Sequence, residues 1–158
     1  MKRCFIFILW ISFFYSSIFG QSHIKFEPTY ESNPLVIDST YSDQTKITSI
    51  RFYIGHVKLL KDSQIMFEQP SYQLMDAEFP ETLEIQTPLN ISYNKISFSL
   101  GIDSVTNYQG ALTGDLDPQN GMYWTWQSGY INFKLEGVSK KCTARKNYFQ
   151  FHLGGYSF

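Results

Sequence analysis

The chain has little cysteine, little histidine and few charged side chains. Two of its 158 residues are Cys and three are His, and Asp, Glu, Lys and Arg together make up 17%. The formal net charge is −1. A protein of this charge lacks the basic surface that attracts nucleic acids or anionic membranes. We therefore expect no nucleic-acid partner.

The first twenty residues differ from the rest of the chain. Lys2 and Arg3 precede an almost wholly apolar run over residues 5–14, and small residues follow as far as Gly20. This order is typical of a secretory signal peptide. The apolar run is shorter than the ~20 residues of a membrane-spanning helix. We expect export to the periplasm, the outer surface or the medium, with no stable membrane span after cleavage.

Removal of this leader leaves a single cysteine. Cys4 lies inside the leader, so Cys142 has no partner for an intramolecular disulfide. The remaining residues, 21–158, are enough for one domain that folds without disulfides. We therefore predict a signal peptide at 1–20 and a single domain at 21–158.

No stretch of this domain keeps the 3.6-residue apolar period of an amphipathic helix. Short runs instead alternate apolar with polar residues, and turn residues separate them. The alternation is clearest at 94–103 and at 147–153. Residues 23–38 resemble a first hairpin, and 122–136 one long strand interrupted at Ser128-Gly129. We predict an all-β fold, an antiparallel two-sheet β-sandwich of about eight strands.

The sequence contains none of the common catalytic signatures. It has no G-x-S-x-G, no H-E-x-x-H and no Gly-rich phosphate loop that begins a helix. Asp115 and Asp117 form a carboxylate pair, but they lie in a Gly/Pro turn, where Asp usually hydrogen-bonds its own backbone. We therefore expect no enzymatic activity.

The same turn offers oxygen ligands for a hard cation. Asp115, Asp117 and Asn120 precede Gly121 in a pattern similar to a calcium-binding loop. The bidentate Glu that completes a helix-loop-helix calcium site is missing at the required spacing. A solvated turn and a calcium loop are both compatible with these residues.

Softer metals need imidazole, thiolate or thioether ligands. The histidines His23, His56 and His152 are far apart in sequence, so a shared site has to assemble from distant strands. The alternation at 147–153 places His152 opposite the apolar side chains of its strand. A hydrogen-bonded histidine outside any metal site is the alternative for each of the three.

Met122, Trp124 and Trp126 alternate along one predicted strand and so share one face. A thioether on that face would be available to Cu(I), and the aromatic rings would shield the ion from water. Large Trp side chains at such positions also serve simply as core or rim residues.

Four segments carry a resemblance to a known family. They are G-D-L-D-P-Q-N-G-M-Y-W-T-W-Q-S-G-Y-I-N-F-K-L-E-G at 114–137, I-R-F-Y-I-G-H-V-K-L at 50–59, G-I-D-S at 101–104 and F-H-L-G-G-Y at 151–156. Together they resemble the MbnP-like family, exported copper-binding proteins related to the methanobactin-cassette protein and to MopE. The W-T-W-Q-S-G-Y order after L-D-P is the most specific segment.

The resemblance implies an all-β sandwich that holds one copper ion through His side chains. In characterised relatives a partner dihaem enzyme oxidises one Trp to kynurenine, and the resemblance implies such a Trp here. His152 matches a family ligand, and Trp124 or Trp126 matches the modified Trp. Many relatives carry a His soon after the Phe of the first strand, whereas here Phe26-Glu27 is followed by Pro28. His23 or His56 would then supply the second imidazole.

Two functions are therefore expected from the sequence. The first is an exported copper-binding protein for metal handling, uptake or storage. The second is an extracellular interaction or adhesion module that keeps the fold without copper. The two functions differ in one geometric requirement. A copper site needs His152 and a second imidazole within ~4–5 Å of each other, or both within that distance of one common point, because metal–nitrogen bonds are ~2 Å long.

Overall fold

A computed structural model describes residues 21–125 and 129–155, so the predicted signal peptide and Trp126 lie outside the described residues. The described chain is mostly β, as predicted. It has one short helix, α1 (Ser104–Tyr108), and ten strands rather than about eight. The strands are β1 (Gln21–Lys25), β2 (Thr29–Tyr30), β3 (Asn33–Pro34), β4 (Thr45–Lys61), β5 (Gln64–Asp76), β6 (Glu84–Pro88), β7 (Lys95–Leu100), β8 (Tyr123–Trp124), β9 (Gly129–Ser139) and β10 (Tyr148–Gly154). Single 3₁₀ turns lie at Pro80–Leu83, Gly114–Leu116, Pro118–Asn120 and Arg145–Asn147.

The long strand β4 is the centre of a six-stranded antiparallel sheet. Its second half pairs with β5 along one edge. Along the other edge it pairs first with β9 and then with β7. β10 and β8 both pair with β9. Two smaller sheets, β1 with β6 and β2 with β3, complete the described fold.

The β1–β6 pair packs on one face of the large sheet. Ile24 and Ile85 from this pair lie in one cluster with Ile54, Val57 and Met75 of β4 and β5. Burial of each such side chain stabilises the fold by about 1.5–3 kcal/mol. These side chains form the hydrophobic core between the β1–β6 sheet and this face of the large sheet, which we call the first face.

The opposite face of the large sheet is covered by the chain between β7 and β8. Tyr53, Ile102, Met122, Tyr130 and Ile131 form the buried cluster there. The hydroxyl of Tyr130 accepts a hydrogen bond from the Leu112 N–H (3.0 Å) and lies 2.9 Å from the Leu116 carbonyl oxygen. This long connection is therefore packed onto the sheet.

Two predictions about strand pairing need correction. The predicted hairpin at 23–38 is confirmed only in its centre, where β2 pairs with β3, and does not extend along 23–38, because β1 pairs with β6. Residues 122–136 are not one strand either, because β8 turns back and pairs with β9, with Tyr123 opposite Tyr130. A continuous strand would place Met122 and Tyr130 ~26 Å apart. Burial of both in one cluster requires the chain to reverse.

The apolar side chains of β7 and β10 cover the rim of the first face. Phe98 of β7 contacts Phe26 edge to face, with 5.6 Å between ring centroids, yet remains 48% exposed. Leu100 and Leu153 are 62% and 61% exposed. The alternating apolar side chains of β7 and β10 are therefore partly exposed to solvent, because the two-stranded β1–β6 sheet is too narrow to cover the whole six-stranded sheet. In the ranges the structure describes, no helix is long and apolar enough to cross a membrane.

Candidate metal-binding residues

His152 lies on the polar face of β10, as the alternation predicts. Its Nε2 is 2.6 Å from Glu136 Oε1 on the neighbouring strand β9. The other carboxylate oxygen of Glu136 accepts a hydrogen bond from the Tyr148 hydroxyl at 2.9 Å. The side chain of His152 is 24% exposed and that of Glu136 is 15% exposed. The Glu136 carboxylate therefore holds the His152 imidazole in place, and the Tyr148 hydroxyl holds the carboxylate.

A row of charged residues continues from His152 across the sheet. The strand register places His152 opposite Lys134, Lys134 opposite Arg51 and Arg51 opposite Asp76. Residues opposite one another in antiparallel strands share a face. The Arg51 Nε lies 2.7 Å from Asp76 Oδ2, although without hydrogen-bond geometry, since this buried nitrogen has no hydrogen-bond partner among the described residues.

The connection before β8 caps this charged row. The Asn120 carbonyl oxygen accepts a hydrogen bond from Arg51 (3.1 Å), and the Gly121 carbonyl oxygen accepts one from Lys134 Nζ (3.5 Å). The D-P-Q-N-G turn of the sequence therefore contributes backbone oxygens to the face that carries His152.

The ionisation of Glu136 couples this cluster to pH. Burial raises its pKa, but hydrogen bonds from His152 and Tyr148 and the charge of Lys134 outweigh burial, so the net pKa is lowered. A carboxyl whose folded pKa is lowered stabilises the fold above its unfolded pKa of ~4.3, and this contribution disappears as pH falls through the folded pKa.

We therefore expect Glu136→Gln to reduce stability at pH 7 and to weaken its dependence on pH below ~5. Urea denaturation of both proteins between pH 7 and pH 3 measures this. Glu27→Gln, on a largely exposed carboxylate paired with Lys25, is the control and should follow the unmodified protein. A Glu136→Gln protein that loses stability in acid as steeply as the unmodified one would contradict the expectation.

The Trp-bearing strand β8 lies beside the end of β10. Trp124 packs partly buried against the second-face cluster. Its ring carbon Cζ3 is 4.0 Å from the position a Cβ would take on Gly155, three residues after His152. Met122 is fully buried in the same cluster. Trp126, the other predicted site for Trp oxidation, lies outside the described residues.

The other two histidines lie elsewhere. His23 is on β1, and its Nδ1 is 3.6 Å from Glu84 on β6. Its neighbour Ile24 packs into the first-face core, so His23 points away from the large sheet. His56 on β4 is about five residues from the row of Arg51, and β10 is two strands from β4. At ~3.3 Å per residue and ~4.8 Å per strand, His56 and His152 are on the order of 20 Å apart. The structure does not bring two imidazoles together.

The predicted calcium-loop residues make hydrogen bonds within their own loop and, at Asp115, to strand β5. Asp115 Oδ2 accepts from the Leu74 N–H at 2.9 Å, and Asp117 Oδ1 accepts from the Gln119 N–H at 2.8 Å. The Asn120 amide donates to the carbonyl oxygens of Gly114 and Asp115. Among the described residues, no group of three or more His, Cys, Asp or Glu side chains is arranged to hold a metal.

Sequence reasoning missed the partners of the histidines. The alternation of apolar and polar residues at 129–137 places Glu136 and Lys134 on the polar side of a strand. Their proximity to His152 depends on the register between β9 and β10, which the alternation does not predict. Tyr72 and Asp103 beside His56 were likewise missed.

The described chain is thus a mostly β protein in which a carboxylate-held histidine lies near a Trp-bearing strand. The family model described as MbnP matches residues 20–157. The chain therefore belongs to the MbnP family, which confirms the resemblance drawn from the four sequence segments. Searches of curated proteins and of solved structures found no significant match.

Proposed function

We propose that this protein is an exported copper-binding protein that handles the metal for uptake or storage, with His152 as a ligand. Membership of the MbnP family supports the copper-related function. The observation that carries the proposal is the hydrogen bond of 2.6 Å between His152 Nε2 and Glu136 Oε1.

Metal-binding histidines usually give their second ring nitrogen to a carboxylate, which fixes the tautomer and the ring orientation. Glu136 does this for His152, and Tyr148 and Lys134 anchor Glu136 in turn. Nδ1 of His152 then remains as the ligating nitrogen. The residues fit copper through this one imidazole, and Pro28 stands where relatives supply another.

The Trp-bearing strand is the proposed source of a further donor. Trp124 lies near the end of β10, and Trp126 follows it on the same segment. Oxidation of an indole to kynurenine creates an aromatic amine, which is a nitrogen donor that Trp itself lacks. A partner dihaem enzyme of the kind that modifies relatives is the proposed oxidant.

Copper retention tests the role of His152. Residues 21–158 are loaded with Cu(I) or Cu(II), dialysed and assayed for bound metal. We expect His152→Ala to abolish one equivalent of binding and Glu136→Gln to weaken it by about 10–100-fold, the usual effect of losing an outer-shell partner. His23→Ala is the matched control and should bind as the unmodified protein does.

Unchanged copper retention in His152→Ala would remove His152 from the site. Mass spectrometry of the native protein tests the Trp separately. We expect the peptide covering residues 121–134 to carry the mass increment of kynurenine, and fragmentation identifies which Trp is oxidised. An unmodified peptide from the native exported protein would contradict the proposal that kynurenine supplies a metal ligand.

A second function, an extracellular interaction or adhesion module without copper, is favoured by one observation. Leu100 and Leu153 are more than 60% exposed on the first sheet face, and contiguous exposed apolar surface is typical of interaction sites. This alternative predicts that the native protein retains neither copper ion at stoichiometric levels. Copper retention that is lost in His152→Ala therefore distinguishes the two functions.

A further inference from the structure

We propose that His56, Tyr72 and Asp103 form a separate binding site for a divalent first-row transition metal ion, such as Cu²⁺ or Zn²⁺. His56 is on β4, Tyr72 on β5, and Asp103 immediately precedes α1. The site lies on the second sheet face, on the order of 20 Å from His152, and does not depend on the proposed role of His152.

The three donor atoms already lie around one point. His56 Nε2 is 3.0 Å from the Tyr72 hydroxyl oxygen and 3.3 Å from Asp103 Oδ2. The Tyr72 hydroxyl also donates a short hydrogen bond to the same Oδ2. Ligand atoms that are each ~2.0–2.2 Å from one metal ion lie roughly 3 Å from one another. The triangle of donor atoms therefore needs only small shifts to bind an ion on one side.

The backbone of β4 is shaped to present His56. His56 has φ +51° and interrupts the pairing of β4 with both β5 and β7. Such a bulge re-aims a side chain, and a positive φ at a residue other than Gly or Asn costs energy that the surroundings must offset. The side chain of His56 is 42% exposed, so an ion can reach it.

Gly55 makes room for the second donor. A Cβ at Gly55 would lie 2.3 Å from Tyr72 Cδ1, so the aromatic ring rests directly on the glycine. This contact places the Tyr72 hydroxyl beside His56. The Asp103 N–H also donates to the phenolic oxygen at 3.0 Å. Burial and the hydrogen bond to the Asp103 carboxylate raise the pKa of Tyr72, so the phenol keeps its proton until a metal ion displaces it.

Asp103 is oriented by the helix that follows it. Its Oδ1 accepts the Thr106 N–H at 2.7 Å, which leaves Oδ2 directed at Tyr72 and His56. The Thr106 N–H and then the Tyr72 hydroxyl lower the pKa of Asp103 to about 2. The carboxylate is therefore ionised at neutral pH, and its side chain is 44% exposed.

Imidazole, carboxylate and phenolate nitrogen and oxygen donors suit Cu²⁺ and Zn²⁺. The ion takes the place of the proton that Tyr72 gives to Asp103, and that proton is released to solvent. Affinity is therefore expected to rise with pH, as it does at sites where the metal displaces protons.

The test uses residues 21–158 carrying His152→Ala, so that the two sites are read separately. Cu²⁺ is added and bound metal is measured after dialysis. We expect one retained equivalent and a visible charge-transfer band from phenolate to Cu²⁺. Adding His56→Asn should weaken binding at least tenfold, since Asn tolerates the positive φ but lacks the imidazole. Adding Tyr72→Phe should abolish the band.

His23→Ala in the same background is the control and should change neither binding nor the band. The proposal is overturned if His152→Ala alone retains no Cu²⁺, or if His56→Asn leaves the affinity unchanged while circular dichroism shows an intact fold. Loss of all bound copper in His152→Ala would support the site at β10 and reject this one. Loss of one of two bound equivalents would support both sites, and no loss at all would reject the site at β10 while leaving this one supported.

Discussion

Replacing Gly154 with alanine is expected to lower the free energy of unfolding by about 3 kcal/mol. A Cβ at this position would lie 2.2 Å from the Tyr130 carbonyl oxygen and 3.0 Å from Ile131 Cα. Both are backbone atoms of the neighbouring strand, so no side-chain rotation relieves the overlap. The end of β10 would have to separate from β9, and His152 lies two residues earlier.

Urea denaturation at neutral pH measures this loss. Gly110→Ala is the matched control, because a Cβ there meets no atom of the described residues within 4 Å, and its positive φ of +79° opposes the change. Its expected cost is about 1 kcal/mol. Gly154 itself has no positive φ, so a loss at Gly154 no larger than the loss at Gly110 would show that the close approach of β9 is relieved at little cost.

Replacing Tyr130 is expected to be at least as damaging. Tyr130→Ala removes a fully buried ring and should cost about 3–5 kcal/mol. Tyr130→Phe keeps the ring but leaves the Leu112 N–H and the Leu116 carbonyl without their hydroxyl partner. A lost buried hydrogen-bonding partner of this kind costs about 1–3 kcal/mol.

The two variants separate ring burial from loop attachment. Hydrogen exchange should show faster exchange of the Leu112 amide in Tyr130→Phe, while the amides in the middle of β4 change little. Tyr93→Phe, at a tyrosine that is 45% exposed, is the control and should alter neither stability nor exchange. If Tyr130→Phe proves as stable as the control, the hydroxyl does not fasten the connection to the sheet.

The period-two alternation was sufficient to predict a mostly β fold and the faces of β10. Phe151 and Leu153 lie on one side and His152 on the other, as expected, because the pleat alone determines the side on which a residue projects. The partner of a strand depends on long-range burial instead. The pairing of β1 with β6 and the reversal between β8 and β9 both serve clusters built from distant segments.

In the candidate metal site, too, the position of a residue on its own strand was predictable and its contacts with other strands were not. His152 was predicted from its place on the polar face and from the family resemblance. Glu136 was not, since its contact with His152 follows from the register between β9 and β10. The cluster at His56 requires a bulge and a ring stacked on Gly55, and neither feature has a local sequence pattern that identifies it.

The position of β10 in the sheet has a consequence for metal exchange. Among the described strands, β10 pairs with β9 alone and forms one margin of the large sheet. If His152 is the copper ligand, as proposed above, a donor or acceptor protein would dock along this margin and pass the ion to or from the imidazole while both cores stay closed. Transfer would then require no unfolding of either partner.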